Sequence, residues 1–187
     1  MNNIWEQFKQ WMLLNYEAGL ESLRAPVSDS EIDQLESKVK STLPKEFSES
    51  LKIHNGQDNE KGWLFMGEEY LSTSRIIDEW NVWNNLLTEG TFEGIESEPE
   101  EGIKNDWWNP KWIPFTYDGS GNHLCIDLDP GENGTVGQII RIWHDEETRS
   151  LEAGSFKEWF ETYIQGILEG HYIYSEDYNG IVSVDDI

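Results

Sequence analysis

The chain has 187 residues, a length that fits one domain with a sizeable core, and it carries 37 Asp and Glu against 13 Lys and Arg, for a net charge of −24. That charge excludes nucleic acid as an expected partner, because phosphate binding needs clustered Lys and Arg. It favours a basic protein partner, or it serves solubility alone. Ten Trp residues and 13% aromatic content exclude a disordered chain.

Three features predict a cytoplasmic protein without membrane contact. No run approaches the ~20 apolar residues of a membrane-spanning helix. The first residues, from Met1 to Glu6, lack the basic region and the apolar stretch of a signal peptide. Cys125 is the single cysteine, which excludes an internal disulfide and suits a reducing compartment.

Apolar spacing and capping signals predict three helices in the N-terminal third. The first helix repeats apolar residues at steps of three and four. The second begins at the capping box formed by Ser28 and Glu31, and the third follows Pro44, which a first helical turn tolerates. The apolar positions of these helices are Ile4, Trp5, Phe8, Trp11, Met12 and Leu14 or Tyr16, then Ile32, Leu35 and Val39, then Phe47 and Leu51.

The chain between residues 63 and 106 contains a predicted strand, a predicted helix and an acidic loop. Residues 63–66 form a short apolar run between two glycines, which predicts a strand. Apolar residues from Ile76 to Leu87, spaced four, three and four apart, predict a helix that ends near Gly90. Residues 91–106 are rich in Glu, Gly, Ser and Pro, so we predict a solvated acidic loop inserted in a single domain over residues 1–187.

The stretch from Trp107 to Trp159 predicts an antiparallel meander followed by a helix. Strand-like runs over residues 112–143 are joined by turns that are too short for a parallel crossover. Pro114 lies inside an apolar run and suggests an edge position in the sheet or the opening of a strand. We expect this meander to form the centre of the sheet.

Patterns around the meander extend the prediction. Leu124, Ile126 and Leu128 alternate along one strand and are expected to face helices. Residues 149–153 pair back before a last helix, which Ser155 caps. After about residue 170 we predict a short C-terminal extension, in which an Asn-Gly pair gives a weak hairpin signal.

One strand carries residue types that suggest a nucleophile. Alternation places His123, Cys125 and Asp127 on the same face. Residues i and i+2 stand roughly 6–7 Å apart, whereas a nucleophile and its base need contact near ~3 Å. We therefore predict a buried free thiol and no catalytic residue.

Asp118, Asp127 and Asp129 belong to turns that imitate calcium-binding loops. In the first turn, His123 stands where the sharp bend needs glycine, and in the second, Gln138 stands where a bidentate Glu belongs. Turn hydrogen bonding explains these carboxylates without a metal. We predict no metal and no cofactor, and the sequence leaves open whether the three carboxylates bind a cation.

A pair of tryptophans next to the acidic loop is the candidate partner-binding site. Interface hot spots are enriched in Trp, and neighbouring carboxylates attract a basic surface. Core packing accounts for some of the tryptophans in this region. The predicted partner-binding residues are Glu98, Glu100, Glu101, Asp106, Trp107 and Trp108.

Three blocks of the sequence resemble the SUKH superfamily, specifically its Smi–Knr family. The first runs from Ile32 through Leu43-Pro44 to Gln57, and the second from Trp107 to Pro130. The third runs from Gly134 through His144-Asp145 to Trp159. The order and spacing of these blocks match the family across nearly the whole chain, least of all in the acidic loop and the C-terminal extension.

The resemblance implies an α+β fold, with a mainly antiparallel twisted sheet flanked by N-terminal and C-terminal helices. It also implies protein binding without catalysis, because the family supplies no catalytic residues. Bacterial members neutralise toxins, many of them nucleases, and fungal members regulate cell wall assembly and signalling. Our leading hypothesis is an immunity protein that masks a basic toxin, and the alternative is a cell-wall regulator or scaffold. The oligomeric state stays open.

Overall fold

The computed structural model describes the backbone of residues 1–187 and every side chain except that of Asn59. The described residues contain helices at both ends of the chain and one between them. Two single turns of 3-10 helix lie at Asn59–Lys61 and Val184–Asp186. The α-helices are α1 (Asn2–Asn15), α2 (Glu17–Ser22), α3 (Asp29–Val39), α4 (Lys45–Leu51), α5 (Thr73–Thr88) and α6 (Phe156–Glu169).

The strands form one central sheet and two small ones. The central sheet has the order β2-β7-β6-β5-β3, and pairs β1-β4 and β8-β9 lie outside it. All pairings are antiparallel except that of β2 with β7. The α+β fold with a mainly antiparallel sheet is therefore confirmed. The strands are β1 (Glu69–Tyr70), β2 (Glu98–Pro99), β3 (Trp112–Pro114), β4 (Thr116–Tyr117), β5 (His123–Asp127), β6 (Gln138–Ile142), β7 (Thr148–Ala153), β8 (Tyr172–Ser175) and β9 (Gly180–Ser183).

The predicted meander forms the body of the central sheet. Strands β3, β5 and β6 pair in order, with Pro114 opposite Cys125 and Cys125 opposite Ile140. β3 is an edge strand of this sheet, as the proline predicted. β7 pairs back onto β6, so the prediction for residues 149–153 is also confirmed.

Helices cover both faces of the meander. On one face, Phe115 contacts Phe156 and Trp159 of α6, with ring centroids 5.4 and 4.9 Å apart. Leu124 and Ile126 share this face and are fully buried, as expected, whereas Leu128 follows the strand and is half-buried.

On the opposite face, the ring centroids of His123 and of Trp83 in α5 are 6.3 Å apart. Helix α3 packs against α5 outside this layer. Cys125 is also fully buried, which confirms the prediction of a buried thiol. Polar residues of β5 are consequently enclosed between the sheet and α5 instead of facing water.

The three predicted N-terminal helices are present as α1, α3 and α4. The capping box of α3 forms, since the Ser28 backbone N–H donates to Glu31 at 2.9 Å and the Glu31 N–H donates to Ser28 Oγ at 3.3 Å. Pro44 is the N-cap of α4. Sequence patterns missed α2, because its six residues are too few to show an apolar repeat.

The predicted strand at residues 63–66 was wrong. Trp63 and Phe65 form only isolated bridges, with Gly180 and Glu68, and the chain turns between Phe65 and Glu68, where Met66 and Gly67 have φ values of 52° and 77°. The Phe65 N–H donates to the Glu68 carbonyl at 3.1 Å, and the strand β1 follows the turn. Phe65 itself is fully buried, so the apolar run fills the core from a turn and not from a strand.

The C-terminal extension packs onto the body of the domain. β8 and β9 form the hairpin that the Asn-Gly pair signalled, with Asn179 at φ 49°. Tyr174 stacks on Tyr16 with ring centroids 4.1 Å apart, and Ile181 is fully buried. The Gly67 N–H donates to the Ile181 carbonyl at 2.8 Å, which ties the hairpin to the turn after residue 65.

Replacing Trp159 by alanine should lower the free energy of unfolding by about 3–5 kcal/mol, because it leaves a large cavity. Trp159 is 5% exposed and packs on Phe115 and Phe65. Leu168→Ala is the matched control on the same helix, since Leu168 is 51% exposed. Denaturant unfolding measures both variants. A loss below about 1 kcal/mol for Trp159→Ala would contradict this packing.

Burial of His123 should make stability depend on pH. Desolvation lowers the pKa of His123 from 6.5 to about 4, although its hydrogen bond to the Thr116 carbonyl opposes the shift. Below about pH 6.5 the unfolded chain binds a proton that the folded chain does not, so stability falls as the pH falls. Relative to His123→Gln, the wild type should lose about 2–3 kcal/mol between about pH 7.5 and about pH 4.5.

The comparison requires urea unfolding of both proteins across this pH range. His171→Gln, at an exposed histidine, is the control and should follow the wild type. Parallel pH profiles for the wild type and His123→Gln would show that His123 does not control the dependence.

Candidate partner-binding surfaces

The acidic loop is attached to the edge of the central sheet. The Glu98 N–H donates to the Glu147 carbonyl at 2.8 Å, and the Glu100 N–H donates to the Arg149 carbonyl at 2.9 Å. These bonds form the two-residue strand β2 beside β7. Ile103 is only 6% exposed, so part of the loop packs on the core. The prediction of a freely solvated loop was therefore wrong in its middle.

Several carboxylates of this loop are held by hydrogen bonds. Glu100 accepts from the Leu151 N–H at 2.8 Å, and Glu101 accepts from the Asn133 side chain at 3.1 Å. Asp106 accepts from the Asn109 side chain at 2.8 Å. Glu98, Glu100 and Glu101 are exposed, and we call them, together with Asp106 and Trp107, the acidic edge.

The two tryptophans beside the acidic edge point to different environments. Trp108 is 2% exposed and stacks on Trp83, with ring centroids 5.1 Å apart. It therefore fills the core and offers no anchor on the surface of the free protein. Trp107 is half-buried, and the Arg149 guanidinium lies 4.9 Å from its ring centroid. Partner binding by the six predicted residues stays a prediction.

A buried arginine holds the acidic edge to the sheet. Arg149 is fully buried and donates to the carbonyls of Glu146, Thr148 and Trp107 at 2.6, 2.7 and 2.9 Å. Desolvation lowers its pKa to about 10. Because carbonyl oxygens neutralise no charge, Arg149 remains a buried cation that fixes the backbone of two segments, residues 146–148 and the segment at Trp107.

The Asp residues of the turns are occupied by structural hydrogen bonds. Asp118 accepts from the backbone N–H groups of Ser120, Gly121 and Asn122 at 2.7, 3.1 and 3.0 Å. Burial would raise the pKa of Asp118, but these bonds outweigh burial and lower it. The carboxylate therefore shapes the turn before β5.

Asp127 and Asp129 have structural partners of the same kind. Asp127 accepts from the Asp129 N–H and from the Gln138 side chain, each at 2.9 Å. Asp129 forms an ion pair with Lys104 at 2.6 Å. Among the described residues, no group of three or more His, Cys, Asp or Glu side chains is placed to hold a metal ion.

The geometry does not support a catalytic site with Cys125 as nucleophile and His123 and Asp127 as its partners. Burial raises the pKa of the Cys125 thiol well above its ordinary value, so the thiolate needed for attack is disfavoured. His123 Nδ1 is 2.7 Å from the Thr116 carbonyl, which takes up that ring nitrogen. His123 is fully buried and is therefore part of the core.

The structure reveals a cleft that the sequence analysis did not find. It lies between α5 and the turn that joins β4 to β5, and its volume is about 390 Å³. We call it the α5 cleft. Its lining residues are Glu79, Val82, Trp83, Leu86, Phe92, Tyr117, Ser120, Gly121 and His144.

A signal for the α5 cleft was present in the helix itself. Glu79, Trp83 and Leu86 stand four and three residues apart, which places them on one stripe of α5. A carboxylate in such a stripe, next to buried tryptophans at 80 and 83, marks the border of the core. The opposite wall was not predictable, because it requires Gly121, at φ 114°, to pass close to His144.

Glu79 is the acidic group of the α5 cleft. It is 9% exposed, and its Oε1 lies 2.7 Å from an Arg75 guanidinium nitrogen. The same guanidinium also donates to both oxygens of Glu69 at 3.3 Å. Burial raises the pKa of Glu79, and Arg75 offsets this rise only in part. Two carboxylates therefore share one cation beside the cleft.

Within the described residues, none of the helices has the combination of length and apolar character that is needed to cross a membrane.

The acidic edge and the α5 cleft share an aromatic wall, since the ring centroids of Phe92 and Trp107 are 6.4 Å apart and Trp83 stacks on Trp108. Together, the acidic edge and the α5 cleft present negative charge around apolar and aromatic side chains.

Comparison with known proteins finds similarity to proteins that are named as regulators. It is 25% identical to the glucan synthesis regulatory protein of Neurospora crassa, over 94% of this chain and 40% of the relative. It is 28% identical to the cell wall biosynthesis/cell cycle regulator smi1 of Schizosaccharomyces pombe, over 95% of this chain and 38% of the relative. It is 22% identical to the cell wall assembly regulator SMI1 of Saccharomyces cerevisiae, over 88% of this chain and 40% of the relative.

The chain thus spans about two fifths of the length of these relatives. A family model described as the SMI1 / KNR4 family (SUKH-1) matches residues 26–162. This match runs from the loop before α3 into α6 and includes the meander, the acidic edge and the α5 cleft. The chain therefore belongs to the SMI1 / KNR4 family (SUKH-1).

Proposed function

We propose that this chain is a non-catalytic protein-binding domain that takes part in regulating cell wall assembly. The observation that carries the proposal is the similarity, along nearly the whole chain, to proteins named as regulators of glucan synthesis and of cell wall assembly. Regulation by a domain of this kind proceeds through contact with another protein. This was the alternative hypothesis from the sequence, and it now takes precedence.

The physical basis of binding is electrostatic attraction followed by aromatic contact. The net charge of −24 attracts a basic partner from a distance, and the exposed carboxylates of the acidic edge concentrate that attraction. Trp107 supplies a half-buried aromatic surface beside them. A basic protein surface is therefore the proposed partner, in preference to nucleic acid or a membrane.

The second candidate function is toxin neutralisation by a cytoplasmic immunity protein. The strong negative charge favours it, because a basic toxin, such as a nuclease, would be attracted to the same acidic edge. The two functions differ in their partner. An immunity protein rescues cells from the toxin that a neighbouring gene encodes, whereas a regulator restores growth under cell wall stress.

A domain replacement tests the proposed function. The matching region of the Saccharomyces cerevisiae cell wall assembly regulator is replaced by this chain, and growth is measured on a dye that binds the cell wall. We expect the chimera to restore growth that a deletion strain loses. The chimera with Trp159→Ala is the control for a destabilised domain and should restore less.

The outcome that opposes the proposal is a folded, expressed chimera that grows no better than the deletion strain. Co-expression with the products of neighbouring genes then decides the second candidate. Rescue from a toxic neighbour would assign the immunity function in place of cell wall regulation.

Neutralising the acidic edge should slow association with the partner. Replacing Glu98, Glu100, Glu101 and Asp106 by Gln or Asn removes four charges, so the association rate should fall and depend less on salt. The partner is the protein that the rescuing chimera binds, or the toxin that the neighbouring gene encodes. Surface plasmon resonance at several salt concentrations gives the association rates. The matched control neutralises four exposed carboxylates elsewhere, at Glu17, Glu169, Glu176 and Asp177.

Equal effects of the two charge-neutralised proteins would show that total charge, and not the acidic edge, governs the encounter.

Trp107→Ala complements this test, because loss of an aromatic contact acts on dissociation. It should raise the dissociation rate while leaving the association rate nearly unchanged. Trp108 is unsuitable for this purpose, since its replacement would damage the core.

A further inference from the structure

The α5 cleft has the dimensions and walls of a site for one long side chain. Its volume of about 390 Å³ lies near the lower end of the range of ligand pockets, about 300–1,000 Å³. Val82 on its rim is 54% exposed, and Leu86 and Phe92 beside it are half-buried. These apolar groups suit the methylene stem of a long side chain.

Glu79 lines the cleft, and a second hydrogen-bond acceptor, His123 Nε2, is fully buried next to it. His123 Nδ1 must donate to the Thr116 carbonyl, because a carbonyl oxygen only accepts. In the neutral ring Nε2 is then an acceptor, and it is buried with no hydrogen-bond partner. It lies 3.9 Å from Glu79 Oε2, a distance too long for a hydrogen bond.

The charge around these acceptors is also incomplete. Glu69 and Glu79 share the single guanidinium of Arg75, which leaves one negative charge in excess. Burial raises the pKa of Glu79, so its ionised form is costly without a further cation. A positively charged donor would supply both the hydrogen bond and the charge that this corner lacks.

We propose that the α5 cleft binds an arginine or lysine side chain, flanked by apolar residues, from an exposed segment of the partner protein. The cationic head contacts the Glu79 carboxylate, while the stem lies along Val82, Leu86 and Phe92. This inference rests on the proposed function and places recognition of the partner in the α5 cleft. The acidic edge, which shares the aromatic wall of the cleft, attracts the same basic segment.

A peptide titration tests the inference. The probe is acetyl-Ala-Leu-Arg-Leu-Ala-amide, and its matched control carries citrulline, the neutral analogue of arginine, in place of arginine. Both are titrated into the full, ¹⁵N-labelled chain and followed by NMR. We expect the arginine peptide to shift the amide signals of Phe92, Gly121 and His144, and the citrulline peptide to bind at least tenfold more weakly.

Variants identify the group that recognises the cation. Glu79→Gln should weaken binding of the arginine peptide at least tenfold and leave the citrulline peptide unchanged. Glu169→Gln, at an exposed carboxylate of α6, is the matched control and should bind as the wild type does. Glu69 still holds Arg75 in the Glu79 variant. Should Glu79→Gln unfold, Val82→Arg at the exposed rim replaces it, with the same expected loss.

Three results would overturn the inference: equal binding of the two peptides, signal changes that map to residues 98–101 instead of the cleft, or no saturable change. The chimera separates this failure from failure of the proposed function. Growth of the chimera without Glu79-dependent peptide binding rejects the cleft alone. Glu79-dependent binding without growth of the chimera rejects cell wall regulation and leaves the cleft as a site for a basic segment.

Discussion

The contact between α6 and the meander is the interaction on which the rest of the structure depends. Phe115 meets Phe156 and Trp159 on one face of the sheet, and Phe65 joins them from a turn. Aromatic edge-to-face packing of this kind combines large apolar burial with defined geometry. It closes one face of the sheet, where α1 and α4 pack against α6. The other face is covered by α5, which packs against α3 and lines the cleft there.

Both faces bury polar groups. On the face that α5 covers, Arg149 binds three carbonyls. On the α6 face, Glu68, which is 5% exposed, pairs with Arg141 and accepts from Thr116. Such groups add specificity of arrangement more than stability, because desolvation offsets most of their attraction. His123 and Glu79 are the exception, since His123 Nε2 has no hydrogen-bond partner and Glu79 shares one guanidinium with Glu69, and this shortfall is what makes the α5 cleft a candidate site.

Sequence patterns predicted the parts of the fold that depend on local spacing. The capping boxes, the alternation in β5 and the edge proline each determine structure within a few residues, so α3, α6 and the meander were predictable. Residues 63–66 were not, because an apolar run suits a core-filling turn as well as a strand. Trp108 and the α5 cleft depend on contacts between distant segments, such as Trp83 with Trp108, which no local pattern contains.

The central claim is that a basic segment of a regulatory partner enters the α5 cleft from the side of the acidic edge. Photo-crosslinking from position 82 in the yeast chimera, with peptide mapping of the product, tests it most directly. Position 168, an equally exposed apolar site on α6, is the control, since Val82 and Leu168 are 54% and 51% exposed. The account predicts crosslinks from position 82 to a segment with an arginine or lysine between apolar residues. Crosslinks only from position 168, or to a segment without a basic residue, would contradict it.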